Sequence, residues 1–211
     1  MKQITFAQTS DLLGRYEIDL IQSRIFVSAK EAWSYVQKSG KPVALKTAST
    51  QIDHRTESNA VFLNVKGEKE FFESWEKIVQ SVGSQEIIVQ EMRSGIEIMM
   101  GVKRDSQFGP VILFGLGGIL VELLEDISMR IAPFDLNEAE KMIREIKGAK
   151  ILDGFRGYPK VNEKKLAKML SALSYLSVEH PEIEEVDLNP IIANGNIIEA
   201  VDAKIWIKEN G

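Results

Sequence analysis

Two periods of apolar and polar residues alternate along this chain, and each switch between them marks an element. In "EKEFFESWEKIVQSVG" (68–83), Phe71, Phe72, Trp75, Ile78 and Val79 fall at three- and four-residue spacing, which predicts an amphipathic helix stopped by Gly83. "PVALKTA" (42–48) is apolar apart from Lys46 and too short for a helix, so it predicts a strand, as does "VFLNV" (61–65). "FAQTSDLLGRYE" predicts a short helix and "DLIQSRIFVS" contains a strand. Ser28 and Glu31 form a capping box for the helix "AKEAWSYVQKSG", with Gly40 as its stop.

Beyond residue 85 the pattern turns richer in strands. "EIIVQEMRSGIEIMMGVKR" predicts two strands joined at Arg93-Ser94-Gly95, and "GPVILF" and "MRIAPF" predict two more around a glycine run. Asp135 and Glu138 cap a helix through "LNEAEKMIREIK" that Gly148 closes, and Asn162 caps one carrying Leu166, Met169, Leu170, Leu173 and Leu176. The end reads as a hairpin, "EEVDLNPIIA" and "NIIEAVDAKIWI" about a turn at Asn194-Gly195. The mixture predicts an α+β fold with a seam near Gln85 to Met92, dividing the chain into 1–88 and 89–211.

Composition narrows the classes. A net charge of −5, from 26 basic and 31 acidic residues, argues against a nucleic-acid surface. The absence of cysteine excludes disulfides and thiolate metal sites. The most apolar run, "GPVILFGLGGILVELL", meets Glu122 before it spans a bilayer, and the start lacks a signal-peptide core, so a cytoplasmic protein without membrane contact is expected.

Several residues carry candidate chemistry. Lys46 interrupts an apolar strand; the pattern alone favours an edge-strand lysine facing water over one meeting an anion. Gly115, Gly117 and Gly118 follow a strand, either to admit a phosphate close to the backbone or to form a tight turn. Asp187 and Asn189 share one strand face, and the hairpin brings Asp202 towards them. A carboxylate and an amide oxygen there suit Mg²⁺, although an ordinary polar ribbon face has the same pattern. Of the two histidines, His180 precedes a proline at a helix end and offsets the helix dipole. His54, in "STQIDHRTESNA" with Arg55 and Glu57 beside it, sits in a loop between two strands. No cysteine or second histidine helps it bind a structural metal.

"GVKRDSQFGPVILFGLGGILVELLEDISMRIAPF", supported by "KMIREIKGAKILDGFRG", "VDLNPII" and "AVDAKI", resembles the β subunits of archaeal ADP-forming acetyl-CoA synthetases, also called acetate–CoA ligases. The resemblance runs over nearly the whole chain. It implies an ATP-grasp fold of two subdomains with the nucleotide, ATP or ADP, between them. It also implies that Lys46 contacts phosphates, that the hinge Gln90-Glu91-Met92 reads the adenine edge and holds the nucleoside, and that Glu97 lies near the ribose. Asn189 and Asp202 match the Mg²⁺ ligands, Asp187 an acid that steadies a phosphohistidine, and His54 the phosphoryl carrier itself. Gly117 and Gly118 match nucleotide-binding glycines. A CoA-binding α subunit in an α₂β₂ complex is the implied partner. The chain departs from many relatives in having Asn59-Ala60 for a Gly-Gly pair, and Arg55 where lysine is commoner. Two other readings compete: an ATP-grasp carboxylate–amine ligase, and a non-catalytic nucleotide-binding subunit.

Overall fold

The structure, a computed structural model, describes residues 1–50, 60–118, 126–155 and 157–209. Its elements in chain order are β1 (Lys2–Gln3), α1 (Phe6–Arg15), β2 (Ser23–Phe26), α2 (Ala29–Ser39), β3 (Val43–Thr47), β4 (Val61–Val65) and α3 (Glu68–Val82). Then come β5 (Ile87–Glu91), β6 (Ile96–Asp105), β7 (Gly109–Leu116), β8 (Ile127–Ile131), α4 (Leu136–Glu145), a 3₁₀ helix (Lys147–Asp153) and α5 (Glu163–Glu179). β9 (Ile183–Asn194), β10 (Ile197–Ala200) and β11 (Ala203–Ile207) finish the chain. No described helix is long and apolar enough to cross a membrane.

The chain divides into a smaller unit, Ile21–Arg93, and a larger one, Met1–Leu20 with Ser94–Gly211. This differs from the expected 1–88 and 89–211 at both ends. β1 pairs antiparallel with β11, and Leu13 and Ile18 join the larger unit's core. β5 lies inside the smaller sheet, hydrogen-bonded to β2 and β3, so the seam falls after it.

In the smaller unit the sheet order is β2-β5-β3-β4. One face carries Val43, Leu45, Ile87 and Val89 against Ala32 and Val36 of α2 and Phe71, Trp75 and Ile78 of α3. Alternation sends Ala44, Lys46, Ile88 and Gln90 to the other face. The expected helix stops are present, Gly40 and Gly83 closing α2 and α3 in the left-handed conformation, and of the expected capping box the structure gives the half in which Ser28 accepts from the Glu31 amide.

The larger unit has a seven-stranded sheet, β1-β11-β9-β6-β7-β8, with β10 beside β9. Ile96, Ile98, Met100, Ile112, Phe114, Val186, Leu188 and Ile191 pack against α1, α4 and α5 in one core. Their neighbours in sequence face the opposite side, which no described helix of this unit covers. Two local expectations shift. The hairpin turns at Gly195–Asn196, one residue late, because Gly195 takes the positive φ (61°) at the first turn position. α4 ends at Glu145, not Gly148, because the Asp126 carboxylate accepts from the amides of Lys147 and Gly148, both at 2.7 Å, and starts the 3₁₀ helix there.

Candidate functional site

The helix-free face of the larger sheet is built by register. Asp187 on β9 lies opposite Lys204 on β11 and opposite Gly101 on β6. The pairing of Leu188 with Ala203, and the Val201 amide donating to the Pro190 carbonyl at 2.9 Å, carry the same register one step further. Asp202 therefore stands opposite Asn189, on the face of Asp187 and Lys204. On the β6 side the register shifts between Ile98 and Met100, so Asn189 and Pro190 together oppose Met99. That bulge explains how a proline, with no amide to donate, sits in a central strand, and it turns Asn189 outward, where it is exposed.

Partial burial pushes the Asp187 carboxyl up to about 6; the Lys204 ammonium opposes the rise, and Asp202 and Glu185 add to it. A face that destabilises the Asp187 carboxylate in this way is suited to receive positive charge. Asn189 and Asp202 fit a hard divalent cation: one carboxylate and one amide oxygen, directly opposed, leave the rest of an octahedral shell to water and phosphate.

Glu97, Gly117 and Gly118 form the next group on the same sheet. The Gly117 amide donates to the Glu97 carbonyl at 2.7 Å, and a Cβ at Gly117 would press on the β6 backbone at 3.0 Å. Gly118 has φ 68°, and a Cβ there would collide with the Glu97 carboxylate. The glycines thus have a structural reason, close strand approach, that also leaves the exposed Glu97 carboxylate clear. Glu97 pairs with Ile192, placing it further along β9 from Asn189.

In the smaller unit, Lys46 is only 6% exposed and lies on β3, an inner strand. The water-facing edge lysine favoured by pattern alone is therefore ruled out: β4 and β5 flank it on both sides. Gln90 shares its face and donates to the Ser23 hydroxyl at 2.9 Å. Glu91 points to the other face. Its carboxylate bonds Lys41 at 3.0 Å and Arg93 at 2.9 Å, and those bonds hold its pKa below the usual carboxylate range. The Met92 amide donates to the Pro42 carbonyl at 3.1 Å. Ala60 is fully buried, and its carbonyl accepts from the Thr47 amide at 2.9 Å. His54, with Arg55 and Glu57, lies outside the described residues. His180 holds Glu182 through Nδ1 at 2.9 Å and meets Tyr16 edge-on, a structural setting.

The ATP-grasp domain pattern matches residues 2–207. The chain belongs to the ATP-grasp family. It is similar to the acetate–CoA ligase (ADP-forming) I subunit beta of Pyrococcus furiosus, 37% identical over 206 residues that cover 94% of this chain and 89% of that one. It is equally similar, 37% over 197 residues, to the acetate–CoA ligase (ADP-forming) I of Archaeoglobus fulgidus, matching 90% of this chain but 29% of that protein. Among solved structures it resembles acetyl-coenzyme A synthetase 1 of Ca. Korarchaeum cryptofilum in complex with coenzyme A and Mg-AMPPCP, with the phosphohistidine segment pointing towards the nucleotide binding site. The TM-score is 0.83 at 35% identity, covering 98% of this chain and 93% of that one. As an ATP-grasp chain it has the α+β architecture expected from its sequence.

Sequence reasoning passed over Lys204 and Gly101. For Lys204 the signal was present: it follows Asp202 by two residues in "AVDAKI", hence on the same face. Gly101 gave none, since only the register reveals that it faces Asp187.

Proposed function

We propose that this chain is the β subunit of an ADP-forming acyl-CoA synthetase, acting with a CoA-binding α subunit in the reaction acyl-CoA + ADP + phosphate ⇌ carboxylic acid + CoA + ATP. The supporting observation is the register that sets Asp202 opposite Asn189 beside Asp187, on a helix-free face, in a chain similar to β subunits along nine tenths of its length. The match to under a third of the Archaeoglobus fulgidus ligase supports a division of labour, with this chain supplying the phosphoryl-transferring part and a partner the rest. We take the assembly to be two α and two β chains.

His54 carries the phosphoryl group. A neutral imidazole nitrogen is nucleophilic near pH 7, and its phosphoramidate passes the group onward. Asp187 steadies the carrier imidazole, Lys46 meets nucleotide phosphate, and Glu97 faces the ribose with Gly117 and Gly118 giving room. Glu91 and Met92 serve the nucleoside through their backbone, since the Glu91 carboxylate is engaged by Lys41 and Arg93. Asn189 and Asp202 hold Mg²⁺, which when bound offsets phosphate charge.

The test is reconstitution. Mixed with the α subunit of such an enzyme, the chain is expected to form ATP from acetyl-CoA, ADP and phosphate, and His54→Asn to lower that rate by at least about 10³-fold. Full activity in His54→Asn would favour a carboxylate–amine ligase, which uses an acyl phosphate directly. Nucleotide binding without turnover would favour a non-catalytic subunit.

A further inference from the structure

We propose that the groove between α1 and α5 is a docking surface of the larger unit, and that its occupant is an acidic, amphipathic segment of the CoA-binding α subunit. The inference rests on the assembly proposed above and adds to it the place of contact.

The groove belongs wholly to the larger unit and holds a cavity of about 950 Å³. One wall is the outer stripe of α5, where Lys164, Lys168, Ala172 and Tyr175 follow one another at helical spacing over roughly 16 Å. The other wall is the end of α1 and the turn after it, from Gly14 to Asp19. Two independent observations single this groove out. The first is charge. Among the described residues Lys165 has an ion pair, with Asp19 at 2.8 Å, while the exposed Lys164 and Lys168 have none. Like charges on one helix face repel, and on a chain of net charge −5 they make a local basic patch that favours an acidic counterpart. The second is Gly14. It lies inside α1 without the left-handed backbone that calls for glycine, and nothing stands within 4 Å of where a Cβ would be. A glycine in a helix costs stability, and neither a turn nor a neighbour in this chain accounts for this one. A second backbone approaching α1 closely does.

The lining decides the class of occupant. Met169, Ala172 and the half-exposed Leu136 and Tyr175 offer apolar contact, which a ligand of carboxylates or phosphates alone would leave unused. Glu17 and Asp19 on the α1 wall repel a compact polyanion such as a free nucleotide. A helix of about three turns matches the length of the groove; it can set carboxylates beside Lys164 and Lys168 and apolar side chains between them. α1 and α5 pack on the side of the sheet opposite to Asp187 and Asn189, so a segment docked here leaves that face clear. The variants below therefore alter association and not the chemical step.

The experiment follows ATP formation from acetyl-CoA, ADP and phosphate by the full chain as the α subunit is titrated in, beside the melting temperature and sedimentation of the chain alone. Wild type is compared with Lys164→Glu/Lys168→Glu, Lys164→Arg/Lys168→Arg and Gly14→Leu, whose side chain enters the groove without meeting its own chain. Expected is a rise of at least about tenfold in the α concentration giving half the maximal rate, for the glutamate pair and for Gly14→Leu. The maximal rate stays that of wild type, the melting temperature does not fall, and the arginine pair behaves as wild type. Added salt weakens the wild-type complex more than that of the glutamate pair. An unchanged half-saturating concentration in both variants overturns the proposal and leaves the assembly standing. An effect of the glutamate pair that Gly14→Leu does not share overturns it too, since the lysines then act only as a long-range field. A wild-type chain that sediments as a dimer, with Gly14→Leu a monomer, gives the groove to a second copy and overturns the α subunit as occupant. No ATP formation by wild type at any α concentration defeats the assembly, and the docking surface with it.

Discussion

Lys46 is the residue on which sequence pattern and structure part most clearly. An apolar strand with one lysine reads as an edge, yet β3 lies between β4 and β5 and the side chain is buried. Position within a sheet depends on partners far along the chain, so no local pattern supplies it. A buried ammonium facing away from the helices gives a direct expectation. Lys46→Met weakens Mg-ADP binding about 10- to 100-fold, measured by calorimetry, because a phosphate loses a desolvated charge partner. Unchanged affinity would remove Lys46 from the site. Glu91 shows the converse. Its residue type suited a nucleoside ligand, but strand alternation turns it to the helix side, where Lys41 and Arg93 take its carboxylate.

Among elements, those that local sequence specifies were legible and those that depend on distant contacts were not. The ends of α2 and α3, the Asn162 cap of α5 and the Asp135 cap of α4 are short-range hydrogen bonds written in adjacent residues. The face shared by Asp187, Asn189 and Asp202 was legible because period-two alternation and a tight turn fix it. The end of α4 was not, since Asp126 caps the following 3₁₀ helix from about twenty residues away. Gly148 is required at that junction: a Cβ would meet Leu116 and lie 3.2 Å from the Asp126 carboxylate. Gly148→Ala should destabilise by about 1–3 kcal/mol, lowering the melting temperature by roughly 2–4 °C per kcal/mol in a calorimetric scan. An unchanged melting temperature would show that Leu116 yields freely. The contact of α1 with α5 titrates at high pH. Burial, then the 2.6 Å hydrogen bond to Glu179, pushes the Tyr16 phenol up to about 12. A raised pKa stabilises the fold fully below the unfolded value near 10 and loses that contribution as pH climbs to about 12. Tyr16→Phe should therefore flatten the fall in stability over that alkaline window, read by urea unfolding at successive pH values. An identical slope would contradict it.

For the whole molecule, membership of the ATP-grasp family and likeness to β subunits carry more than any one side chain. The resemblance was legible because its blocks keep their order across nearly the full length. The division into units was not, because β1 returns to pair with β11 from the far end of the chain. The proposal assigns the acyl-CoA half of the reaction to an α subunit and the phosphoryl half to this chain, where it can be measured directly. The most direct measurement is the intact mass of the chain after incubation with Mg-ATP, for wild type and His54→Asn. The account predicts one added phosphate, lost in acid, kept in base, and absent from His54→Asn. A phosphate that persists in His54→Asn, or a wild-type chain that stays unmodified both alone and with a competent α subunit, would contradict it.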